Sequence, residues 1–467
     1  MKLSAHDRVN RLLDPGTFEE SDHYSSSVFL IGKGQVQGVR VMLAASRTEP
    51  LAEPEDAYAS LGVLISVVEL ATAARCPVFL LLDTPVASGT GSRFPSEPGR
   101  LLAGENCVGR LYYLLARLSG IVPRVTIVFG KLGSSMSFPA ALSDIVIMTT
   151  DSGMCIGRPD VVKQMTGEET TYEALASGTM HCSLSGTGDI LADSDADAVD
   201  FARKVMTFLP TNCHEAKPLA TPVAPNSSGV PLAEIVPAKI ETMFDIRRII
   251  AEFVDGNSML EIQALFAGEA VTCLAKVEGR RIGIVANNSN TKGGILFPRS
   301  CRKMSKFIQL CSAFGIPLLF LADVPGFMVG TAVEQEGIIQ AGATLFGSIA
   351  QAAVPKMTII IRKAHSAGLY AMAGPGFHSE ALYLLPRAYI AIYGRSALER
   401  LADSRQLSDE EHASLRSMLE EIDHPQVLVN QGLVDGILEL GSVRPTVSNF
   451  LQQAPKTGLP DHHPIWR

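Results

Sequence analysis

The sequence has no Cys-x-x-Cys pair, no uninterrupted apolar run of membrane-spanning length and no block of basic residues. Each absence removes a class of protein. Eight cysteines stand singly, at Cys76, Cys107, Cys155, Cys182, Cys213, Cys273, Cys301 and Cys311, which argues against a structural zinc ribbon. Several lie in apolar segments, where a free thiol packs as a small core residue; buried thiols in a reducing cytoplasm are expected. A membrane span needs roughly 18–20 apolar residues in a row, so no membrane association is expected. The polar opening, residues 1–8, lacks the apolar centre of a secretory signal. A formal net charge of −8 without a Lys/Arg-rich patch argues against nucleic-acid binding. His462-His463 have only Asp461 beside them and no helical ligand spacing, so no metal is expected. No Ser-His-Asp or Cys-His constellation can be placed.

What is present fits a large globular chain. Its 467 residues suggest two large domains, and 46% hydrophobic with 19% charged residues is ordinary for a folded protein. Residues 76–83 and 125–129 read as buried strands, and residues 106–119 between them as an amphipathic helix. Continuous apolar strands suit a sheet covered on both faces, the α/β arrangement. Residues 211–237 hold Pro218, Pro222, Pro225, Pro231 and Pro237 and read as a linker. The expected organisation is therefore a domain over 1–210, a linker over 211–237 and a domain over 238–467.

The second half repeats the first. Cys76-Pro77-Val78-Phe79-Leu80-Leu81-Leu82-Asp83 parallels Ile316-Pro317-Leu318-Leu319-Phe320-Leu321-Ala322-Asp323. Val122-Pro123-Arg124-Val125-Thr126-Ile127 parallels Val354-Pro355-Lys356-Met357-Thr358-Ile359, which brings Lys131 onto Lys363 and Ser134 onto Ser366. Two blocks in the same order point to duplication of one α/β unit.

Two small-residue turns carry candidate chemistry. One is Gly130-Lys131-Leu132-Gly133-Ser134-Ser135-Met136; the other is Arg362-Lys363-Ala364-His365-Ser366-Ala367-Gly368, after a strand over residues 357–361. A strand that passes through small residues into a helix leaves backbone N–H groups free, and two such groups can hold an oxyanion. Asp323-Val324-Pro325-Gly326-Phe327 adds a Pro/Gly turn that lets backbone approach a ligand. His365 is either a donor or base at the second turn or a packing residue. Lys131 and Lys363 either contact phosphates or an enolate, or are solvated or ion-paired.

These blocks resemble the carboxyltransferase (β) subunits of biotin-dependent acyl-CoA carboxylases, of the propionyl-CoA and 3-methylcrotonyl-CoA type, in the crotonase superfamily. The resemblance rests on residues 294–394, on Arg11-Leu12-Leu13-Asp14-Pro15-Gly16-Thr17-Phe18, on Asp160-Val161-Val162-Lys163-Gln164-Met165-Thr166-Gly167-Glu168 and on Tyr389-Ile390-Ala391-Ile392-Tyr393-Gly394. It implies two tandem crotonase-like domains, the first on the acyl-CoA side and the second on the biotin side. It implies that Ser134 and Ser135 hold the thioester enolate through their amides. Ala367 and Gly368 would face the biotin ureido oxygen, with Gly133, Lys131, Gly326, Phe327, His365 and Ser366 around the substrates. Carboxyl transfer between carboxybiotin and the α- or γ-carbon of an acyl-CoA would follow. No Met-Lys-Met biotin-attachment motif and no ATP-grasp region is present, so biotin carboxylase and biotin carboxyl carrier chains are expected as partners. The family further implies a hexamer, either of one chain or with a paralogous subunit.

The sequence departs from the family at Ser134-Ser135, where paired glycines are usual, and at Arg158-Pro159-Asp160, where Gly-Pro-Asp is usual. It departs also at His365-Ser366-Ala367, and at Asp83-Thr84-Pro85-Val86-Ala87-Ser88-Gly89 after the first apolar strand. These departures keep two alternatives open. One is a biotin-independent decarboxylase of malonyl-type thioesters on coenzyme A or an acyl carrier protein. The other is a non-catalytic paralogue that completes a hetero-oligomer.

Overall fold

A computed structural model describes residues 2–21, 26–47, 57–84, 98–226, 229–230, 232–394, 398–400, 407–453 and 464–465. The segment 85–89 after the first apolar strand and the His462-His463 pair lie outside the described residues. Each half is built around one large sheet. In the first, strands run in the order Glu19–Glu20, Phe29–Val36, Val39–Ser46, Val78–Leu82, Arg124–Val128, Ile145–Thr149 and Ile190–Ala192. The first three pair antiparallel and the rest parallel. In the second, the order is Leu260–Ile262, Ala270–Val277, Arg280–Asn287, Leu318–Val324, Lys356–His365, Ala381–Leu384 and Gly436–Ile437, with the same change from antiparallel to parallel.

The duplication reaches individual hydrogen-bonded rungs. Met42 pairs with Val78 and Val78 with Arg124; Gly283 pairs with Leu318 and Leu318 with Lys356. Every residue of Val78–Leu82, Arg124–Val128 and Leu318–Val324 is buried, as strands covered on both faces must be. In the first half the cover includes the 18-residue helix Ala57–Ala74 and the helix Val108–Arg117, whose Leu111 and Leu115 join the core. Asp195–Met206 is capped by Ser194, whose hydroxyl accepts from the Asp197 amide. In the second half Pro298–Ala313 and Ile338–Gln351 pack on each other.

The chain divides into two compact units at Lys217 and Pro218, inside the proline-rich stretch. That stretch is held at both ends. Lys217 donates to the Met206 and Leu209 carbonyls, while the Ala220 amide donates to Gly279 O at 3.1 Å and the Gly256 amide to Ala224 O at 3.1 Å. The tail differs from a simple extension of the second domain to 467. Ile465 belongs to the first unit, its amide donating to Ser119 Oγ at 2.8 Å and its carbonyl accepting from the same hydroxyl at 3.1 Å.

Candidate functional site

The first turn leaves the sheet after Val128. The Phe129 amide still donates to Leu82 O, at 2.8 Å. Gly130 follows, so close to Asp83 and Thr84 that a Cβ would overlap both. Lys131–Leu132 then pairs in parallel with Gly153–Met154. Gly133 caps the helix Ser134–Ala141. The amides of Met136 and Ser137 fold back to Gly133 O at 3.1 and 2.9 Å, whereas those of Ser134 and Ser135 meet no acceptor among the described residues. Gly133, Ser134 and Ser135 are all exposed. Both serines have ordinary helical backbone, so the replacement of glycines costs the turn no conformational freedom it uses.

A cluster that sequence reasoning missed stands beside this turn. Lys131 Nζ lies 4.4 Å over the centre of the Tyr172 ring. The Tyr172 hydroxyl is buried without a hydrogen-bond partner. Burial first, then nearby Cys155, push this phenol up to about 12, while Arg158 pulls the other way. Burial also pushes the Cys155 thiol up, again against Arg158. Ser137 Oγ donates to Gly133 O at 2.9 Å and to Cys155 O at 3.2 Å, tying the turn to this cluster. Lys131 and the departure at Arg158 were visible in the sequence; Cys155 and Tyr172 carried no signal there.

The second turn follows a longer strand than expected. Lys356–His365 is buried along its whole length, so the strand does not stop at Ile361. Arg362 and Lys363 are tolerated inside because Asp323 meets both. Arg362 Nη2 donates to Asp323 Oδ2 at 2.6 Å, and Lys363 Nζ lies 3.3 Å from Asp323 Oδ1. Lys363 is thus an ion-paired residue, its pKa lowered by burial despite that carboxylate. His365 is buried too, with Nε2 3.3 Å from Tyr389 Oη and Gly394 against its ring. Burial first, then the charge on Lys363, push it down to about 4. The neutral imidazole therefore packs beside the strand end, and the exposed part of the turn is Ser366 and Ala367.

Ser366 adopts φ 49° and ψ −134°, a backbone region that favours glycine, before the helix Ala367–Ala371. Its amide donates to Ala391 O at 3.0 Å, but the amides of Ala367 and Gly368 meet no acceptor among the described residues. Gly326, at φ +117°, comes directly against Gly368, where a Cβ would sit 3.0 Å from Gly326 Cα and 2.9 Å from Val324 Cγ2. Phe327 starts a half-buried aromatic row, 5.9 Å from Phe346, which is 6.0 Å from Phe377. The second unit therefore gathers Gly326, Phe327, Ser366, Ala367 and Gly368, and the first unit gathers Lys131, Gly133, Ser134 and Ser135. Each turn presents two adjacent N–H groups, the arrangement that holds a developing oxyanion without a side-chain nucleophile. Among the described residues, no group of three or more His, Cys, Asp or Glu is placed to hold a metal ion. No helix among them is long and apolar enough to cross a membrane.

Comparison with known proteins gives this geometry a family. Residues 2–459 match the family described as Carboxyl transferase domain. An uncharacterized carboxylase, YngE, of Bacillus subtilis (strain 168) is 36% identical, over 83% of this chain and 76% of its own length. The methylmalonyl-CoA carboxyltransferase 12S subunit of Propionibacterium freudenreichii subsp. shermanii is 30% identical over 97% of this chain and 88% of its own. The crystal structure of transcarboxylase 12S with hydrolysed methylmalonyl-coenzyme A bound, described as a hexamer assembly, superposes with a TM-score of 0.85. It is 28% identical and covers 99% of this chain and 93% of its own. The chain belongs to the carboxyl transferase domain family, enzymes built from two crotonase-like domains.

Proposed function

We propose that this chain is the carboxyltransferase subunit of an acyl-CoA carboxylase or transcarboxylase, acting between biotin on a separate protein and an acyl-CoA thioester. The observation that carries the reading is the pair of turns, one in each crotonase-like unit, each with two amides that meet no acceptor among the described residues. Biotin supplies and accepts the carboxyl group. The chain's own contribution is electrostatic. The Ser134 and Ser135 amides stabilise the thioester oxygen as the enolate forms, the α-proton passing to the biotin group that would bring the carboxyl. The Ala367 and Gly368 amides stabilise negative charge on the ureido oxygen. Both pairs are fixed before the reaction, so they need not reorganise as charge develops.

The closeness of Gly368 to Gly326 supports the second assignment. Without side chains at Gly326 and Gly368, no Cβ stands between the two backbones, and the neighbouring Ser366 and Ala367 lie exposed at the turn. Biotin carboxylase and biotin carboxyl carrier chains would be the partners, in a hexameric assembly.

The test uses the full chain with a malonyl-type CoA thioester, with and without free biotin. Loss of the carboxyl group that depends on biotin supports carboxyl transfer. Equal loss without biotin replaces it with the decarboxylase reading. Loss in neither assay, with an active paralogous chain co-purifying, replaces it with the partner-subunit reading.

A further inference from the structure

The pseudo-equivalent lysines of the two halves differ in one respect that bears on substrate choice. Lys363 is buried and neutralised by Asp323. Asp83 holds the corresponding place in the first half, but Arg8 takes it. Arg8 Nη2 donates to Asp83 Oδ2 and to Asp195 Oδ2, each at 2.7 Å, and its guanidinium lies 3.9 Å over the Phe129 ring. Gly130 stands where the second half has Arg362, so the buried cation reaching Asp83 comes from the N-terminal helix Ala5–Leu12 instead, with the exposed Lys2 Nζ 3.8 Å from Asp83 Oδ1. Lys131 is thereby released from its strand-end carboxylate and exposed.

Lys131 lies over the Tyr172 ring, and its strand partner Gly153 lies against the same ring, five residues before the exposed Arg158. Neither Lys131 nor Arg158 makes an ion pair among the described residues, and Asp160, two positions beyond Arg158, pairs with neither. Two unpaired cations beside one buried, unbonded hydroxyl repel each other unless an anion comes between them. The Ser137 hydroxyl joins the Gly133 and Cys155 carbonyls, tying the segment that leads to Arg158 to the turn whose Ser134 and Ser135 amides meet no acceptor among the described residues.

We propose, resting on the function above, that Lys131 and Arg158 bind a carboxylate on the acyl group, so that the first turn takes a dicarboxylic acyl thioester. Reach selects the acyl group over the phosphates of coenzyme A. Lys131 is two residues before Gly133, while the pantetheine arm separates the phosphates from the thioester by far more than a lysine's length. Chemistry selects a carboxylate that stays on the acyl group. An ion pair to the transferred carboxyl would stabilise the ground state and oppose its release.

Binding of glutaryl-CoA and butyryl-CoA to the full chain, followed by isothermal titration, tests this without turnover. The same acyl groups on N-acetylcysteamine, which has no phosphate, form the second arm. The wild-type chain is expected to prefer glutaryl over butyryl on both carriers. Lys131→Met and Arg158→Gly should each weaken glutaryl binding by ~10-fold, the loss of one charged hydrogen bond, and leave butyryl binding unchanged. Lys131→Arg should retain the preference. Equal weakening of both acyl-CoAs, with none on N-acetylcysteamine, would assign the cations to phosphate and overturn the proposal. Unchanged glutaryl binding in both variants would overturn it as well. If the wild-type chain bound no acyl-CoA at all, the proposed function would fall and this inference with it.

Discussion

At Gly368 the space for a side chain is already taken by Gly326 and Val324. Gly368→Ala must push the helix start away from the Gly326 backbone and move the amide pair. Turnover is expected to fall on the order of 10²–10³-fold, the usual effect of losing one oxyanion donor, with circular dichroism unchanged. The first turn allows a cleaner deletion. Ser134 is the first helical residue, where proline fits, and Gly133 before it has the extended backbone (φ −90°, ψ 178°) that a following proline requires. Ser134→Pro should lose a comparable factor because the N–H is gone, while Ser134→Ala should keep near wild-type turnover. Equal activity in both would remove this amide from the chemistry. His365 gives a pH signature. Its folded pKa of about 4 lies below the ordinary 6.5, so it contributes stability above pH 6.5 that is lost as pH falls toward 4. Urea midpoints should fall over that window, and fall less in His365→Phe.

One central parallel strand in each sheet has a buried aspartate at its end, Asp83 after Val78–Leu82 and Asp323 within Leu318–Val324, and each pairs with a buried arginine. Asp323→Ala would leave Arg362 and Lys363 buried without their carboxylate. A loss of about 3–5 kcal/mol, read from denaturant unfolding, is expected. Conservation of the midpoint would show that these cations find other partners. The same residues mark the limit of what the sequence told. The apolar runs around Val78 and Leu318 announced the strands and their repetition, and Pro77 and Pro317 aligned them. The strand after Pro355 was read as ending at Ile361; Arg and Lys are seldom buried, and only the fold brings Asp323 to Arg362 and Lys363. The φ of Ser366 and the gathering of Lys131, Cys155, Arg158 and Tyr172 were likewise illegible. The gathering depends on the pairing of Lys131–Leu132 with Gly153–Met154, two dipeptides too short for any periodicity. The turns themselves were legible, since small residues after an apolar strand have a local reason to be there.

At the scale of the molecule, duplication supplies two similar turns and divergence gives them different surroundings. Large apolar side chains remain in the open on the second unit, among them Val329, 78% exposed, and Ile339, 74% exposed. Such residues favour burial between subunits. Light scattering is expected to give six times the 49.9 kDa protomer, and Ile339→Asp with Val329→Asp to shift it toward smaller species. A wild-type monomer would contradict the proposed assembly. The central claim is that both turns act together in moving a carboxyl group through biotin. Its most direct test is the transfer of labelled carboxyl from a malonyl-type CoA thioester to free biotin, for the wild-type chain, Ser134→Pro and Gly368→Ala. The account predicts labelled carboxybiotin with the wild type and its loss in both variants. Carboxyl loss that ignores biotin and survives Gly368→Ala would contradict it.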